Sequence, residues 1–258
     1  MTQSRSLDVE RLEREVKAVY RDVARTPDEE FHFEMGRPLA ERLGYPSTHL
    51  DAVPDDAIDS FAGVGYHFDL ADLREGEDVL DLGSGSGMDV FVAAGHVGET
   101  GSVTGLDMTD EQLSKARRLG DEWGFETVAF EAGYVEDLPF EDDSFDAVVS
   151  NGVVNLSAEK DRVFEEIARV LRPDGRLALS DIVSEARMPE RIKTNADLWA
   201  ACIGGAEQVD DYRSTVEAAG FDVTAVETNP EYEFVSEQAQ GACATYGVMS
   251  VSLAARVR

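Results

Sequence analysis

Two cysteines in 258 residues, Cys202 and Cys243, are too few for a disulfide framework or a structural zinc site. The four histidines, His32, His49, His67 and His96, have no metal-ligand spacing, so no metal site is expected. No apolar run approaches the ~18 residues of a membrane span. Met1-Thr2-Gln3-Ser4-Arg5 leads into a charged helical pattern without the apolar core of a signal peptide. No membrane partner is therefore expected, and a cytoplasmic enzyme is the default. Internal repeats and low-complexity stretches are also lacking.

Among the charged residues lysine is scarcest, with only Lys17, Lys115, Lys160 and Lys193. The 23 basic residues face 53 acids, for a net charge of −30. Phosphate binding needs clustered Lys and Arg, so nucleic acid is excluded as a partner. The acids are spread along the chain and form no tail. Such a surface suits high salt, where screening removes self-repulsion, and a halophilic setting is expected.

What is present is a rhythm. Residues 7–25 carry a helical stripe of Leu7, Val9, Leu12, Val16, Val19 and Tyr20 among charges. A second helix is expected over Asp28 to Leu43, then a loop-rich stretch with a short helix at Asp55–Phe61. From residue 77 strands alternate with helices. Strands are expected at Asp78–Leu82, Ser102–Leu106, Thr127–Phe130, Phe145–Ser150 and Arg176–Val183, and helices at Met88–Val97, Asp110–Trp123 and Ala158–Leu171. This order means a parallel sheet covered on both faces, with ligands at the carboxyl ends of its strands. Two later strands, Phe221–Val226 and Tyr246–Val257, are most easily antiparallel. The expected division is a helical cap over 1–67 and a sheet domain over 68–258, with a helical insertion at about 188–206.

The chain is organised around Val79-Leu80-Asp81-Leu82-Gly83-Ser84-Gly85-Ser86-Gly87. A strand, a tight turn and a helix N-terminus follow one another here. The glycines are spaced G-x-G-x-G, whereas a nicotinamide site has G-x-G-x-x-G. Asp81 would be awkward beside a pyrophosphate and useful beside a cationic cofactor. Asp107, about twenty residues on, is placed to accept ribose hydroxyls.

Together with Gly105-Leu106-Asp107-Met108, Glu136-Asp137-Leu138-Pro139-Phe140 and Leu171-Arg172-Pro173-Asp174-Gly175, this stretch resembles the class I S-adenosylmethionine-dependent methyltransferases. The resemblance implies an α/β, Rossmann-like fold with a mostly parallel seven-stranded sheet, an antiparallel last strand and an N-terminal helical cap. It implies S-adenosyl-L-methionine as cofactor and a small-molecule methyl acceptor. Gly83, Ser84 and Gly85 would then lie against the methionine part, with Asp81 and Gly87 completing the turn. Asp107 would hold the ribose, Met108 would pack on the adenine, and Val135 and Glu136 would edge it. Asn151 would face the methyl-transfer site. Tyr134 stands where the family often has an acid.

Within the class the chain is most similar to the arsenite methyltransferases. Gly87-Met88-Asp89-Val90, Ser150-Asn151-Gly152-Val153-Val154-Asn155-Leu156-Ser157, Cys202-Ile203-Gly204-Gly205-Ala206 and Tyr246-Gly247-Val248-Met249-Ser250-Val251 carry that likeness. The family holds trivalent arsenic through cysteine sulfurs, soft ligands for a soft centre. Here two of the expected cysteines are Val64 and Gly152, and Cys202 alone stands at a matching position. A thiol, a selenol or an arsenic–thiol adduct would need only a dry, well-positioned pocket. Cys202, Asn151 and His67 are the catalytic candidates, His67 as a base, with Tyr20, Tyr66, Asn155 and Trp199 as further lining residues. Two alternatives stay open: a C- or O-methyltransferase acting on a quinone-like or other apolar acceptor, and a non-catalytic S-adenosylmethionine-binding module.

Overall fold

The structure, a computed structural model, describes residues 7–29, 31–193, 198–199 and 203–258. Its centre is a sheet of strands β1 (Asp78–Leu82), β2 (Ser102–Asp107), β3 (Val128–Ala132), β4 (Phe145–Asn151), β5 (Leu171–Ser184), β6 (Glu207–Gln208), β7 (Phe221–Thr228) and β8 (Val248–Val257). Seven of them lie in the order β3-β2-β1-β4-β5-β8-β7, and the two-residue β6 pairs with β5 off this path. The β1, β2, β3, β4 and β5 pairings are parallel, whereas β8 runs antiparallel to both β5 and β7.

Side chains alternate across each strand, so one sheet builds two cores. Val79, Val103, Ala147, Val149 and Ala178 face helices α6 (Met88–Val97) and α7 (Asp110–Trp123) and most of the N-terminal helical segment. Leu80, Leu82, Leu106, Val148, Leu177 and Leu179 face α8 (Lys160–Val170) and α10 (Val209–Ala218). Burial on both faces explains why β1 beyond Asp78 is apolar apart from Asp81. The Arg172-Pro173-Asp174-Gly175 turn lies inside β5, where it bulges out of register: Phe145 pairs with Leu171 and Ala147 with Arg176. Asp174 takes a left-handed φ of 64° there.

The N-terminal segment is helical but more broken than its sequence suggests. Helix α1 (Val9–Arg25) is capped by Asp8, which accepts from the Arg11 N–H at 3.0 Å. The helix expected over Asp28–Leu43 is only α2 (Gly36–Arg42). Gly36 sits at φ 81° and donates its N–H to Phe61 O at 2.9 Å, which stops the helix from extending toward Asp28. Short helices α3 (Ser47–Leu50), α4 (Asp55–Asp59) and α5 (Phe68–Ala71) follow. Late in the chain, α9 (Glu190–Lys193) precedes β6, and α11 (Glu237–Tyr246) fills a stretch that has no apolar stripe. Caps define α11: Ser236 Oγ accepts from Ala239 N–H at 3.2 Å, and Gly247 at φ 63° ends it. Cys243 therefore lies on a helix. Among the described residues no helix is long and apolar enough to cross a membrane.

Candidate active site

A cavity of about 420 Å³ opens at the carboxyl ends of β1, β2 and β4. Its floor is the glycine turn. Gly83 has φ 70°, and a Cβ there would stand 2.6 Å from the Val153 side chain, so no other residue fits. Gly85, at φ 54°, has only Gln112 within 4 Å of its Cβ direction and leaves main chain open to the cavity. Gly87 is different. A Cβ there would meet the rings of Phe130 and Phe91, and Gly87 does not line the cavity. Its work is to let α6 pack on the sheet.

Three carboxylates converge on this floor. Asp81 is 2 % exposed and its Oδ2 has no hydrogen-bond partner. Burial, with Asp89 and Asp107 close by, drives its carboxyl well above the usual range. Asp107 accepts from Gly85 N–H at 3.0 Å through Oδ2 and from Thr109 N–H at 2.8 Å through Oδ1. Burial raises its pKa against these bonds. Asp89, in the first turn of α6, is pushed up to about 6 by burial, although Tyr45 and Asn151 both donate to it. Ser84 Oγ and Thr109 Oγ1 are also buried without partners. A pocket with three crowded acids and unspent acceptors fits a ligand that brings positive charge and donors.

Met108, Val135 and Glu136 line the next part of the cavity, with Tyr134. Glu136 accepts from Ser157 Oγ at 2.5 Å, which ties its carboxylate to the loop after β4. Tyr134 joins α1 to the cavity rim: Lys17 donates to its hydroxyl at 2.5 Å and that hydroxyl donates to Glu13 at 2.7 Å. Leu12, Val16 and Tyr20 on α1 therefore close one side of the cavity.

Asn151, at the end of β4, lines the cavity and makes four contacts. Its Oδ1 accepts from Val64 N–H at 2.7 Å. Its Nδ2 lies 3.0 Å from Gly65 O, 3.1 Å from Tyr45 Oη and 3.2 Å from Asp89 Oδ2. Gly152 also lines the cavity, and Val64 sits behind it with 2 % exposure.

Not every candidate converges here. His67 is fully buried, neither ring nitrogen has a partner, and burial pushes it down to about 3. It stacks on Phe68 with centroids 4.6 Å apart and does not line the cavity, so the base role expected of it is dropped. Tyr66, Asn155 and Trp199 are likewise absent from the lining. Trp199 is nonetheless packed with Leu12 and Val16, behind the α1 wall. Cys202 lies outside the described residues. Tyr45 and Asp89 were not anticipated. Asp89 could have been noticed as an acid inside an otherwise apolar helix start; nothing in the sequence singles out Tyr45.

This strand order, with an antiparallel strand inserted before the last, and this cation-seeking glycine turn define a Rossmann-like methyltransferase. The methyltransferase domain family matches residues 73–220. An arsenite methyltransferase of Halobacterium salinarum is 43% identical over 199 residues, covering 77% of this chain and 51% of that protein. The mouse arsenite methyltransferase is 32% identical over 261 residues, covering 93% and 68%. Among solved structures, an arsenic(III) S-adenosylmethionine methyltransferase from Chlamydomonas reinhardtii superposes with TM-score 0.65 at 30% identity, over 87% of this chain and 74% of that one. The chain belongs to the class I S-adenosylmethionine-dependent methyltransferases. It spans about half the length of the first arsenite methyltransferases it matches.

Proposed function

We propose that this chain transfers the methyl group of S-adenosylmethionine to a small, soft acceptor, either a trivalent arsenic compound carried as a thiol adduct or a thiol itself. The observation that carries this reading is the acceptor wall of Asn151, Gly63 and Gly152 backed by Val64. It lines the cavity opposite the glycine turn while lacking thiols at two of the expected positions. An acceptor that arrives with its own sulfurs does not need them.

The residues present fit the cofactor. Asp81 Oδ2, unpartnered and buried, would take the α-ammonium, Gly83–Gly85 would admit the methionine backbone, and Asp107 would exchange its bond to Gly85 for the ribose. Met108 and Val135 would cover the adenine, with Glu136 at its edge. When bound, the cofactor supplies an electrophilic methyl carbon whose C–S electron pair stays on its sulfur. Asn151 would fix the acceptor wall opposite that carbon, and α1 would exclude water. Trivalent arsenic attacks with its own lone pair, and a thiol attacks as the thiolate, its proton already given up to solvent, so no base is required of the protein.

The net charge of −30 and the likeness to the Halobacterium protein support a salt-rich cytoplasm as the setting. The test is label transfer in molar salt, with arsenite plus glutathione, simple thiols and quinones offered in turn. Label on arsenic or sulfur is the expected result. Turnover only on quinones would replace this reading with C- or O-methylation, and tight cofactor binding without any turnover would replace it with a binding module.

A further inference from the structure

Asp89 belongs to two places at once. Its carboxylate lines the donor cavity beside Asp81, and it accepts from Tyr45 Oη at 2.6 Å and from Asn151 Nδ2 at 3.2 Å. Asn151 in turn grips the loop that carries Val64, through Val64 N–H at 2.7 Å and Gly65 O at 3.0 Å. The same loop is held from the other side by Ser250 Oγ, which donates to Val64 O at 2.5 Å. Gly65 leaves no slack, since a Cβ there would stand 2.3 Å from Asn229 Nδ2 and 2.5 Å from Ser180 Oγ. One side chain, Asn151, is thus the joint between the acid that meets the donor and the backbone that shapes the acceptor wall.

We propose that Asp89 is a positioning residue that senses the positive charge of the methyl donor and, through Asn151, tightens the Val64 loop on the acceptor side while the donor is unreacted. The argument rests on the cofactor reading above. An ionised carboxylate accepts a hydrogen bond more strongly than a neutral one. A cation in the cavity favours the ionised form of Asp89, whose charge is otherwise opposed by burial. Tyr45 and Tyr66 are the other titratable groups that feel Asp89. Transfer of the methyl group removes the sulfonium charge, so the product, S-adenosylhomocysteine, holds the loop less firmly. Acceptor-side order and donor charge become linked, and the linkage is reciprocal.

The readout is hydrogen exchange at the Val64 amide in the full chain at pH 6, where Asp89 is half ionised, alone and saturated with S-adenosylmethionine or S-adenosylhomocysteine. Binding of each ligand is measured separately by calorimetry. S-adenosylmethionine should slow Val64 exchange about 5-fold or more beyond S-adenosylhomocysteine, within the usual range of coupling between sites. Asp89→Asn, which keeps shape and loses charge, should still bind S-adenosylmethionine but abolish the difference between the two ligands. Equal protection by both ligands in the native chain, or a difference that survives in Asp89→Asn, would overturn the proposal. If neither ligand binds the native chain, the cofactor reading fails first. Should Asp89→Asn fail to fold, Tyr45→Phe serves instead, since it removes one donor from Asp89 and should shrink the difference.

Discussion

Val64 and Gly152 face each other across the acceptor wall: a Cβ on Gly152 would stand 3.4 Å from Val64 Cγ1. Two positions 88 residues apart in the chain are thus near neighbours, and both are positions where the resemblance to the arsenite methyltransferases leads one to expect cysteine. Val64→Cys with Gly152→Cys should restore a dithiol clamp. Calorimetry with phenylarsine oxide should show tight binding by the double variant and much weaker binding by either single one. Gly152 has φ 79°, so a side chain there costs about 1–2 kcal/mol of stability. Equal binding by single and double variants would show that the two side chains do not converge.

Asp81 carries the unpartnered carboxyl oxygen of the site. Asp81→Asn keeps the volume and removes the charge. S-adenosylmethionine affinity should fall by about 1–3 kcal/mol, the usual loss for a hydrogen bond to a charged group. The ligand-free protein should gain stability at neutral pH, because an uncompensated buried carboxylate has been removed. Unchanged affinity in calorimetry would move the ammonium to another partner.

The pH dependence follows from Asp89, whose pKa rises from an ordinary 3.8 to about 6. A folded-state pKa above the unfolded one means that the folded chain binds the extra proton. Asp89 therefore favours folding most below pH ~4, and that contribution is lost as pH rises through 6. Asp181, also pushed up to about 6 by burial, adds in the same sense. Ligand-free protein should thus be less stable at pH 7.5 than acid-side groups alone would make it. Cationic donor binding runs the other way, because it needs the ionised acids. Affinity for S-adenosylmethionine should fall by up to tenfold per unit below pH 6, where Asp89 takes up its proton, if one proton is linked. A flat titration between pH 5 and 8 would remove this coupling.

His67 looks like a catalytic base from its place after the Gly63–Gly65 loop, yet both nitrogens are buried without partners. His67→Phe should leave methyl transfer within about twofold and leave stability unchanged or raised, since a polar group without partners is exchanged for an apolar one. A large fall in kcat with folding intact would restore its role in the chemistry.

The elements that set the cofactor end were legible because each has a local cause. Met88–Val97 and Asp110–Trp123 fall where the periodicity puts them, and the glycine spacing is dictated by φ and close packing that only glycine satisfies. The acceptor end was not legible in this way. The Val64–Asn151–Asp89–Tyr45 cluster joins four separate stretches, and no window of sequence contains two of its contacts. Helix α11 is hidden in the sequence for another reason. Glu237-Gln238-Ala239-Gln240-Gly241-Ala242 buries only alanines, so its helical face gives no apolar stripe.

The acid excess makes its own prediction about stability. The described arginines are largely engaged: Arg172 bridges Asp78 and Asp146, Arg169 bridges Glu166 and Asp142, and Arg176 holds Glu77. Pairing cannot neutralise 53 acids with 23 bases, and the remaining charge of −30 repels itself across the surface. Screening length falls from about 10 Å at 0.1 M salt to about 3 Å at 1 M, which removes most of that repulsion while the partly buried Arg176–Glu77 pair is little affected. Thermal unfolding followed by circular dichroism should therefore shift to higher temperature as sodium chloride rises from 0.1 to 2 M. Potassium chloride should act alike, because screening depends on ionic strength and not on the cation. Equal midpoints in low and molar salt would mean that the surface acids are spaced too widely to repel.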